Sequence, residues 1–431
     1  MYPNLYSFLK DMFGIEWGWT RIINSFGFFV ALSFIAAAYT LILEFKRKEK
    51  QGLLGYKEVE VEVGKPASPG ELLVNFLVGF IFGYKIIGAI TAGEALRDPQ
   101  SYIFSSQGNV FWGLILGILM AGVRWYEKNK QKTDKPEKRT IRIWPHDRVG
   151  DITIVAALYG FLGAKIFHNL ENWGDFVKDP LGSLMSFSGL TFYGGLIIAG
   201  VGVSYYCIKR GIGFRYLIDA AAPGLMLAYA VGRIGCQVAG DGDWGILNSA
   251  YVADSTAKVR LAQPGEVNQA LYYNKLFYNS RDFQQLGIVP MKSFKAPSFL
   301  PDWAVAYSYP HNVNSQGVPL AGCKEEEHCN YLPIPVFPTP LYETVMGTIL
   351  FFLLWGLRKK LKAPGTLFAV YLIVNGIERF LIEQIRVNTK YHSLPFEPTQ
   401  AELIAIGLII TGIIMWVIYS RKKADSVIAA D

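Results

Sequence analysis

The sequence lacks several patterns that mark other classes of protein. No segment alternates polar and apolar residues as the strands of a membrane β-barrel do, so a barrel is not expected. Residues 1–19 have neither a basic start nor an Ala-x-Ala site, so we expect no cleaved signal peptide. Basic residues outnumber acidic ones, 42 against 35, but they cluster in short loops between apolar runs. The net charge of +7 therefore requires no nucleic-acid partner.

Long apolar runs dominate what is present. Hydrophobic residues make up 51% of the 431 residues, and the mean hydropathy is +0.24. Because helices satisfy their own backbone in lipid, we predict an all-α polytopic membrane protein with about nine transmembrane helices and an extracytoplasmic head segment. The nine predicted spans lie near residues 22–43, 72–92, 109–123, 152–168, 188–207, 216–235, 339–357, 365–385 and 401–419.

The loops predict the orientation of the chain. Those after the odd-numbered spans are rich in lysine and arginine, and residues 124–148 alone contain nine of these. Basic loops stay on the cytoplasmic side, so the N-terminus is predicted outside and the C-terminus in the cytoplasm. The predicted sections are an interfacial N-terminal arm (1–21), a first span with its basic loop (22–50), an inserted two-helix unit with a basic cytoplasmic loop (51–150), a membrane core in two parts (151–239 and 338–420), the extracytoplasmic head segment between these parts (240–337) and a cytoplasmic tail (421–431).

The inserted unit resembles the pair of spans that follows it. Gly83-Tyr84-Lys85 and Phe111-Trp112-Gly113 match Gly163-Ala164-Lys165 and Phe192-Tyr193-Gly194 at an offset of 80 to 81 residues. A constant offset indicates a duplicated two-helix unit. Shared membrane composition is the alternative reason for the match.

The four cysteines separate into two pairs. Cys323 and Cys329 lie in the head segment, where a disulfide suits an oxidising compartment, and a metal site with His328 is the less favoured alternative. Cys207 and Cys236 lie at membrane depth and are predicted to be packing residues. We expect neither a metal ion nor a cofactor.

Charged residues inside the predicted spans gather at one leaflet. In the predicted orientation, five spans place the following residues in the outer part of the membrane: Lys165, Tyr193, Gly194, Gly195, Arg233, Tyr342, Glu343, Glu378, Arg379, Glu383 and Arg386. Intramembrane charges are costly, and guanidinium groups bind phosphate through paired hydrogen bonds. We therefore predict a cationic pocket, held by carboxylates, for an anionic phospholipid headgroup. The alternative is a salt-bridge network that only joins helices.

Five motifs occur in a fixed order along the chain. They are Ser25-Phe26-Gly27, Phe192-Tyr193-Gly194-Gly195-Leu196, Gly232-Arg233-Ile234-Gly235 with the following 240–245 stretch, Pro338-Thr339-Pro340-Leu341-Tyr342-Glu343, and the 379–386 stretch from Arg379 to Arg386. Together they resemble the phosphatidylglycerol–prolipoprotein diacylglyceryl transferase family, over the first span and most of residues 151–419. The inserted unit and the long head segment depart from what the resemblance leads us to expect.

The resemblance implies an enzyme of the bacterial inner membrane with its active site toward the outer leaflet. It would transfer the diacylglyceryl group of phosphatidylglycerol to the lipobox cysteine of a preprolipoprotein and release glycerol phosphate. Its partners would be phosphatidylglycerol, preprolipoprotein signal peptides and membrane lipid. Arg233 and Arg379 would hold the phosphate, Glu383 would orient Arg379, and Tyr193 is a fourth catalytic candidate. The substrate-binding candidates are Phe26, Lys165, Gly194, Gly195, Gly245, Tyr342, Glu343 and Arg386.

The chain departs from the family pattern where the resemblance would place a general base. Tyr193 stands where many members carry histidine, and a phenol with a pKa of about 10 is a poor base. Other differences are Phe26 for tyrosine, Cys236 for asparagine and Phe337 for histidine. His168 is the nearest alternative base by sequence, although a role at a helix end is favoured for it. The base is therefore not assigned.

Two further hypotheses remain. A catalytically degenerate relative would bind lipid or lipoprotein without chemistry, as the replaced residues suggest. An anion transporter would use the same pocket, but it needs polar groups in the inner halves of these helices, which are largely apolar.

Overall fold

The structure is a computed structural model, and it describes residues 1–91, 102, 105–133, 137–185, 191–278, 289–323, 328–388, 390–391 and 396–421. Of the predicted cytoplasmic tail, only Arg421 falls within these ranges. The helices of the described residues are α1 (Leu5–Phe13), α2 (Ser25–Lys50), α3 (Pro69–Phe82), α4 (Gly88–Thr91), α5 (Val110–Lys130), α6 (Val149–Glu171), α7 (Trp173–Lys178), α8 (Pro180–Met185), α9 (Phe192–Lys209), α10 (Phe214–Ala239), α11 (Glu266–Tyr273), α12 (Lys275–Tyr278), α13 (Thr339–Leu357), α14 (Thr366–Glu383) and α15 (Gln400–Ser420). The strands are β1 (Lys57–Val63), β2 (Glu137–Ile143), β3 (Leu247–Asn248), β4 (Tyr251–Ala253), β5 (Val259–Leu261), β6 (Met291–Lys292), β7 (Val318–Pro319) and β8 (Asn330–Tyr331).

Each predicted span corresponds to helix in the structure. Within the described residues, seven helices are long and apolar enough to cross a membrane: α2, α3 continued through α4, α5, α6 with the turn before it, α10, α13 and α15. The protein is therefore a mostly helical, multi-pass membrane protein. The other two predicted spans are α9 and α14, each 18 residues long. α14 contains three charged residues, Glu378, Arg379 and Glu383, more than a lipid-facing span usually carries.

The chain divides into two compact units. Among the described residues, the first unit comprises Met1–Phe8, Ile23–Glu44 and the chain from Arg215 onward, and the second comprises Leu9–Ile22 and the chain from Phe45 to Phe214. In the first unit, buried side chains of Ala222 and Met226 on α10 pack with Leu354 on α13 and Leu367 on α14. These three helices carry the charged residues that the sequence analysis places inside the membrane spans.

Asp219 fastens α10 to the start of α14. Its buried carboxylate accepts hydrogen bonds from the backbone N–H groups of Gly365 at 2.8 Å and Phe368 at 2.9 Å. N–H groups at a helix start have no partner within the helix, and the helix dipole favours a negative charge there. This contact holds together the two helices that carry Arg233 and Arg379.

Glycines allow α14 and α15 to approach each other closely. A Cβ atom at Gly376 would lie 2.7 Å from the carbonyl oxygen of Ala405, and one at Gly412 would lie 2.8 Å from that of Ala369. Small residues at such contacts permit backbone-to-backbone packing in membrane helices. The position of α14 therefore depends on α15.

Residues 240–337 of the first unit have a small apolar core of their own. The core consists of Trp244, Leu247, Tyr278, Tyr309, Leu332, Ile334 and Val336. Short strands pair around it, β3 with β6 in parallel and β4 with β5 and β7 with β8 antiparallel. Cys323 and Cys329 form the predicted disulfide, with their Cα atoms 5.8 Å apart. Cys207 and Cys236 are free and buried, as expected of packing residues.

The second unit contains two helix pairs that are packed alike. Gly79 and Gly83 of the first pair face the 112–117 stretch of α5, and Gly160 and Gly163 of the second face the 194–199 stretch of α9. In both pairs, the residue just before the lysine of the repeat accepts a backbone hydrogen bond from the residue just before the second helix. The carbonyl of Tyr84 accepts from the N–H of Asn109 at 2.9 Å, and the carbonyl of Ala164 accepts from the N–H of Thr191 at 3.1 Å. These shared contacts agree with the near-repeat in the sequence.

The second unit also contains a two-stranded ribbon that the sequence analysis missed. β1 pairs antiparallel with β2, and Arg142 of β2 donates a hydrogen bond to Glu58 of β1 at 3.1 Å. β1 alternates charged with apolar residues from Glu58 to Val63, which is a strand pattern, and β2 does so only at its end. Sequence alone places these segments only in the inserted unit and its basic loop, because their charges resemble those of membrane-flanking loops.

Candidate active site

Three arginines converge on one buried glutamate in the first unit. Glu343, in the second turn of α13, is fully buried, with 0% of its surface exposed. The guanidinium group of Arg233 on α10 lies 3.2 Å from its carboxylate, and those of Arg379 on α14 and Arg386 just after α14 each lie 3.6 Å away. Four of the residues predicted from sequence are therefore brought together.

Two further carboxylates position the arginines. Asp243 accepts a hydrogen bond from Arg233 and another, of 2.6 Å, from Arg386. Glu383 lies 3.0 Å from Arg379, one turn along α14, as the sequence predicted. Glu383 is held in turn by the amide of Asn388 at 2.5 Å and the hydroxyl of Thr399 at 2.7 Å.

The cluster is balanced in charge rather than cationic, which corrects the expectation from sequence. Three guanidinium groups face the carboxylates of Asp243, Glu343 and Glu383. However, the buried Arg379 Nη1 and the buried Arg386 Nε and Nη1 donate no hydrogen bond within the part of the chain that the structure describes. A buried donor without an acceptor is costly. An anion that accepts from these nitrogens would remove the cost.

Asp243 lies outside the helices and stays ionised. Burial by itself would raise the pKa of Asp243, but Arg233 and Arg386 outweigh it and lower the pKa to about 2. The carboxylate is therefore ionised, and binds both arginines, at every physiological pH. The sequence analysis noted this aspartate only as part of a glycine-rich motif.

The backbone around Gly245 brings Asp243 to Arg386. The N–H of Gly245 donates to the carbonyl of Phe337 at 2.8 Å, and the next N–H, of Ile246, donates to Ile385 at 2.8 Å. A Cβ atom at Gly245 would lie 2.5 Å from the carbonyl oxygen of Ile385. Only glycine fits this approach. Its contacts are thus with protein, and a contact of Gly245 with lipid stays a prediction.

Tyr229 and Glu378 extend the cluster beyond the residues assigned from sequence. The hydroxyl oxygen of Tyr229 lies 2.9 Å from Glu343 Oε1 and 3.1 Å from Glu378 Oε1. The Tyr229 ring also faces the guanidinium group of Arg233 at 5.5 Å. Tyr229 is four residues before Arg233, so its place on the same face of α10 was a signal that could have identified it.

Other residues singled out from sequence lie in the same unit as the cluster. Phe26 is the second residue of α2, and its backbone lies close to Gly235 of α10, where an added Cβ atom would lie 3.4 Å from the Phe26 carbonyl oxygen. The Tyr342 hydroxyl donates to the carbonyl of Ala304 at 2.7 Å, so it is held by the 240–337 segment. The thiol of Cys236, which replaces asparagine in the family motif, lies 3.6 Å from Arg233.

Lys165, Tyr193, Gly194 and Gly195 belong to the second unit. Lys165 is buried in α6. Gly194 and Gly195 face α6, and a Cβ atom at Gly195 would lie 2.9 Å from the carbonyl oxygen of Gly160. Packing of α6 against α9 thus accounts for both glycines. A part for any of the four residues in substrate binding stays a prediction.

His168 makes the contacts that are typical of a residue at the end of a helix. It lies in the last turn of α6, and its Nδ1 is 3.2 Å from the amide of Asn172, which also donates to the His168 carbonyl at 3.0 Å. This is the arrangement favoured for it from sequence.

Several known proteins are similar in sequence to this chain over most of its length. A sequence model described as prolipoprotein diacylglyceryl transferase matches residues 111–418. The phosphatidylglycerol–prolipoprotein diacylglyceryl transferase of Shouchella clausii is 24% identical over 327 residues, covering 75% of this chain and 92% of that protein. A second transferase of Clostridium perfringens is 25% identical over 309 residues, with 71% and 89% covered. The transferase of Dehalococcoides mccartyi is 24% identical over 331 residues, with 76% and 96% covered.

The matched region includes α5 to α15 and therefore every residue of the arginine cluster. Because the family match covers well over half of the chain, this protein belongs to the prolipoprotein diacylglyceryl transferase family.

Proposed function

We propose that this protein transfers the diacylglyceryl group of phosphatidylglycerol to the lipobox cysteine thiol of a preprolipoprotein and releases glycerol phosphate. Family membership supports the reaction, and its relatives carry that activity in their names. The observation in this chain that carries the proposal is the convergence of Arg233, Arg379 and Arg386 on one buried carboxylate. Guanidinium nitrogens of Arg379 and Arg386 have no hydrogen-bond partner among the described residues.

The arginines supply the electrostatic part of this reaction. A carbon–sulfur bond forms at the glyceryl carbon while the carbon–oxygen bond to phosphate breaks, and the electron pair stays on the phosphate oxygen. Charge therefore develops on the phosphate. Preorganised guanidinium groups stabilise such charge strongly in a site from which water is excluded. Asp243, Glu343 and Glu383 keep these groups in place before the lipid arrives.

The remaining site residues are part of the same proposal. Phe26, Gly245 and Tyr342 would border the lipid in the first unit. For Lys165, Tyr193, Gly194 and Gly195 of the second unit, the resemblance to the family motif is the support for a part in substrate binding. The signal peptide would present its cysteine at the arginine cluster.

We further propose that the cluster faces the outer leaflet of a bacterial inner membrane, with nine spans, the N-terminus outside and the C-terminus in the cytoplasm. The 240–337 segment joins the end of α10 to the start of α13, and these are the helix ends that carry Arg233 and Glu343. The cluster and this segment therefore lie at the same side of the first unit. A disulfide in the segment suits an oxidising compartment, which supports an extracytoplasmic head.

The proposal is tested by removing the arginines. We expect Arg233→Ala and Arg379→Ala to reduce diacylglyceryl transfer to a reporter prolipoprotein by at least about 100-fold, as loss of a charge-stabilising group does. Lipidation is measured in cells depleted of their own transferase, alongside the amount of inserted protein. Arg260→Ala is the matched control, because this arginine pairs with Glu266 at an exposed site of the 240–337 segment.

Each variant has a definite expected outcome. Wild-type protein and Arg260→Ala should restore lipidation. Unchanged lipidation in both cluster variants would contradict the assignment of the site. If the inserted wild-type protein restored nothing, the alternative of a relative that binds lipid or lipoprotein without chemistry would hold, and Tyr193 in place of histidine would then mark the lost activity.

A further inference from the structure

One hydroxyl group lies between two buried carboxyl groups at the edge of the arginine cluster. The Tyr229 oxygen is 2.9 Å from Glu343 and 3.1 Å from Glu378, and both glutamates are almost completely buried. A tyrosine hydroxyl has one hydrogen to donate. If both carboxyls were ionised, one of these short contacts would join two oxygens with no hydrogen between them. One carboxyl group must therefore carry a proton and donate it to Tyr229.

The surroundings assign this proton to Glu378. Glu343 faces three guanidinium groups at 3.2 to 3.6 Å, which stabilise its ionised form. Within the described part of the chain, Glu378 makes no ion pair, and its Oε2 accepts no hydrogen bond. A buried carboxyl without a counter-charge is held in its neutral form. The hydrogen bonds thus run from Glu378 to Tyr229 and from Tyr229 to Glu343.

Glu378 also lines an apolar groove between α13 and α14. The groove has a volume of about 190 Å³, and its other walls are Met346, Ile349, Leu350, Val374 and Ile377. Glu378 is the only titratable residue among these lining residues, and its Oε2 is a buried atom. A thiol on an apolar peptide segment fits such a groove better than a charged headgroup does.

We infer that Glu378, Tyr229 and Glu343 form a proton relay that accepts the proton of the substrate thiol and delivers a proton toward the phosphate. This inference rests on the proposed transferase function and supplies the general base that the replacement of histidine by Tyr193 leaves unassigned. Glu378 is the residue that meets the thiol. Tyr229 passes the proton on, and Glu343 stands beside the phosphate-binding arginines.

The relay balances the reaction in protons. As sulfur bonds to the glyceryl carbon, its proton passes to Glu378 Oε2. The proton on Glu378 Oε1 moves to Tyr229, and the Tyr229 proton moves to Glu343. The bond from the glyceryl carbon to phosphate oxygen breaks, and the leaving phosphate takes the proton from Glu343. Because the cluster is balanced in charge before the lipid binds, the arriving phosphate makes Glu343 a better proton acceptor.

Charged groups of several neighbouring elements act on the relay. Arg233 of α10 and Arg379 of α14 interact electrostatically with Glu378, as does Glu343 of α13. Tyr371 lies on the same helix as Glu378, two turns earlier. On α15, Glu402 binds the side chain of Gln384 at 2.6 Å. Glu378→Gln and Tyr229→Phe leave all of these groups in place.

The test compares Glu378→Gln and Tyr229→Phe with the wild-type chain across pH. The full-length protein is placed in phosphatidylglycerol vesicles, and kcat/KM for a lipobox peptide is measured from pH 6.5 to 9.5. Glutamine still donates a hydrogen bond to Tyr229 but cannot transfer a proton through its amide. We expect both variants to lose about 100-fold in kcat/KM at pH 7, as removal of a general base does. The loss should shrink below about 10-fold at pH 9.5, where a thiol with a pKa of about 8.5 ionises without help.

Three results would distinguish a proton relay from a purely structural role of these residues and from an inactive protein. Wild-type rates in Glu378→Gln at every pH would overturn the relay, as would a loss that is the same at pH 6.5 and pH 9.5, since that indicates a structural role. An inactive wild-type chain would contradict the proposed function instead. Tyr371→Phe is the matched control: it removes a hydroxyl from α14, where the ring stacks on Phe368 at 5.5 Å, and should retain the wild-type pH profile.

Discussion

At the scale of single residues, Asp243 joins two arginines of the cluster that are far apart in the sequence. It accepts hydrogen bonds from Arg233 and Arg386, which come from segments about 150 residues apart. Each arginine keeps further nitrogens for other partners. A carboxylate that holds two guanidinium groups in this way fixes the spacing between them, and that spacing decides whether one phosphate can bind both.

Asp243→Asn should therefore lower activity without preventing insertion. Removing one partner of a hydrogen-bonded charge pair costs about 2–5 kcal/mol when the pair is buried. The Asp243 side chain is 37% exposed, so we expect the lower end, about 2 kcal/mol or ~30-fold in transfer rate. The rate is measured in vesicles with a lipobox peptide.

The pH dependence of this variant follows from the lowered pKa. A depressed carboxyl pKa contributes stability above the unfolded value of about 3.9, and this contribution is lost as pH falls toward 2. The defect of Asp243→Asn should consequently be the same from pH 5 to 9. A defect that appears only above neutral pH would contradict the role assigned to Asp243. Asp254→Asn, in an exposed turn of the 240–337 segment, is the control and should behave as wild type.

At the scale of helices, α14 carries three residues of the site, Glu378, Arg379 and Glu383, and is held at both ends and along its length. Asp219 binds its first N–H groups, α15 packs along it through Gly376 and Gly412, and Thr399 binds Glu383 at its end. A helix that carries three charged residues gains little from lipid contact. Its place in the protein depends on these contacts with neighbours.

Gly376→Ala should weaken the contact between α14 and α15. Its Cβ atom would lie 2.7 Å from the carbonyl oxygen of Ala405, so the two helices would have to separate. Overpacking of this kind costs about 1–3 kcal/mol. We expect a lower Tm in detergent and a reduced transfer rate, because Arg379 and Glu378 move with α14.

The matched control lies on the partner helix. A Cβ atom at Gly407 of α15 would meet nothing within 4 Å, so Gly407→Ala should leave the rate unchanged. It should leave Tm unchanged or raise it slightly, since alanine favours helix over glycine by up to about 1 kcal/mol. Equal Tm values for wild type, Gly376→Ala and Gly407→Ala would show that this helix contact is less tight than the structure indicates.

At the scale of the whole molecule, the proposed orientation makes a prediction about cysteine labelling. A membrane-impermeant maleimide added to intact cells should label Cys323 and Cys329 only after mild reduction, because the pair is a disulfide on the outer side. Cys207 and Cys236 are buried and should stay unlabelled. Labelling is read by mass spectrometry of the purified chain.

A cysteine introduced at a basic loop tests the side of the membrane that is predicted to be cytoplasmic. Lys209 is the last residue of α9, where a loop predicted to be cytoplasmic begins, and it is exposed. Lys209→Cys should be labelled only in permeabilised cells. Labelling of this position in intact cells, with Cys323 and Cys329 protected after reduction, would invert the proposed topology.

The helices and the central arginines were predictable from sequence for a simple reason. An apolar run in a membrane protein must form a helix to satisfy its backbone, so the long helices follow from composition alone. Arg233, Glu343, Arg379, Glu383 and Arg386 were identified because charge within an apolar run is costly and their motifs resemble those of one family. The i, i+4 spacing of Arg379 and Glu383 also predicted their contact.

The sequence could not show which distant residues complete the site. Tyr229 contacts Glu378 across 149 positions, and Asp219 contacts Phe368 across 149 as well. Periodicity reports neighbours within one helix, and a composition signal cannot say which helix faces which. The charge balance of the cluster, the place of Asp243 between two arginines and the contacts of Tyr229 with two glutamates were decided only by the tertiary structure, because each depends on side chains that the fold brings together from separate segments.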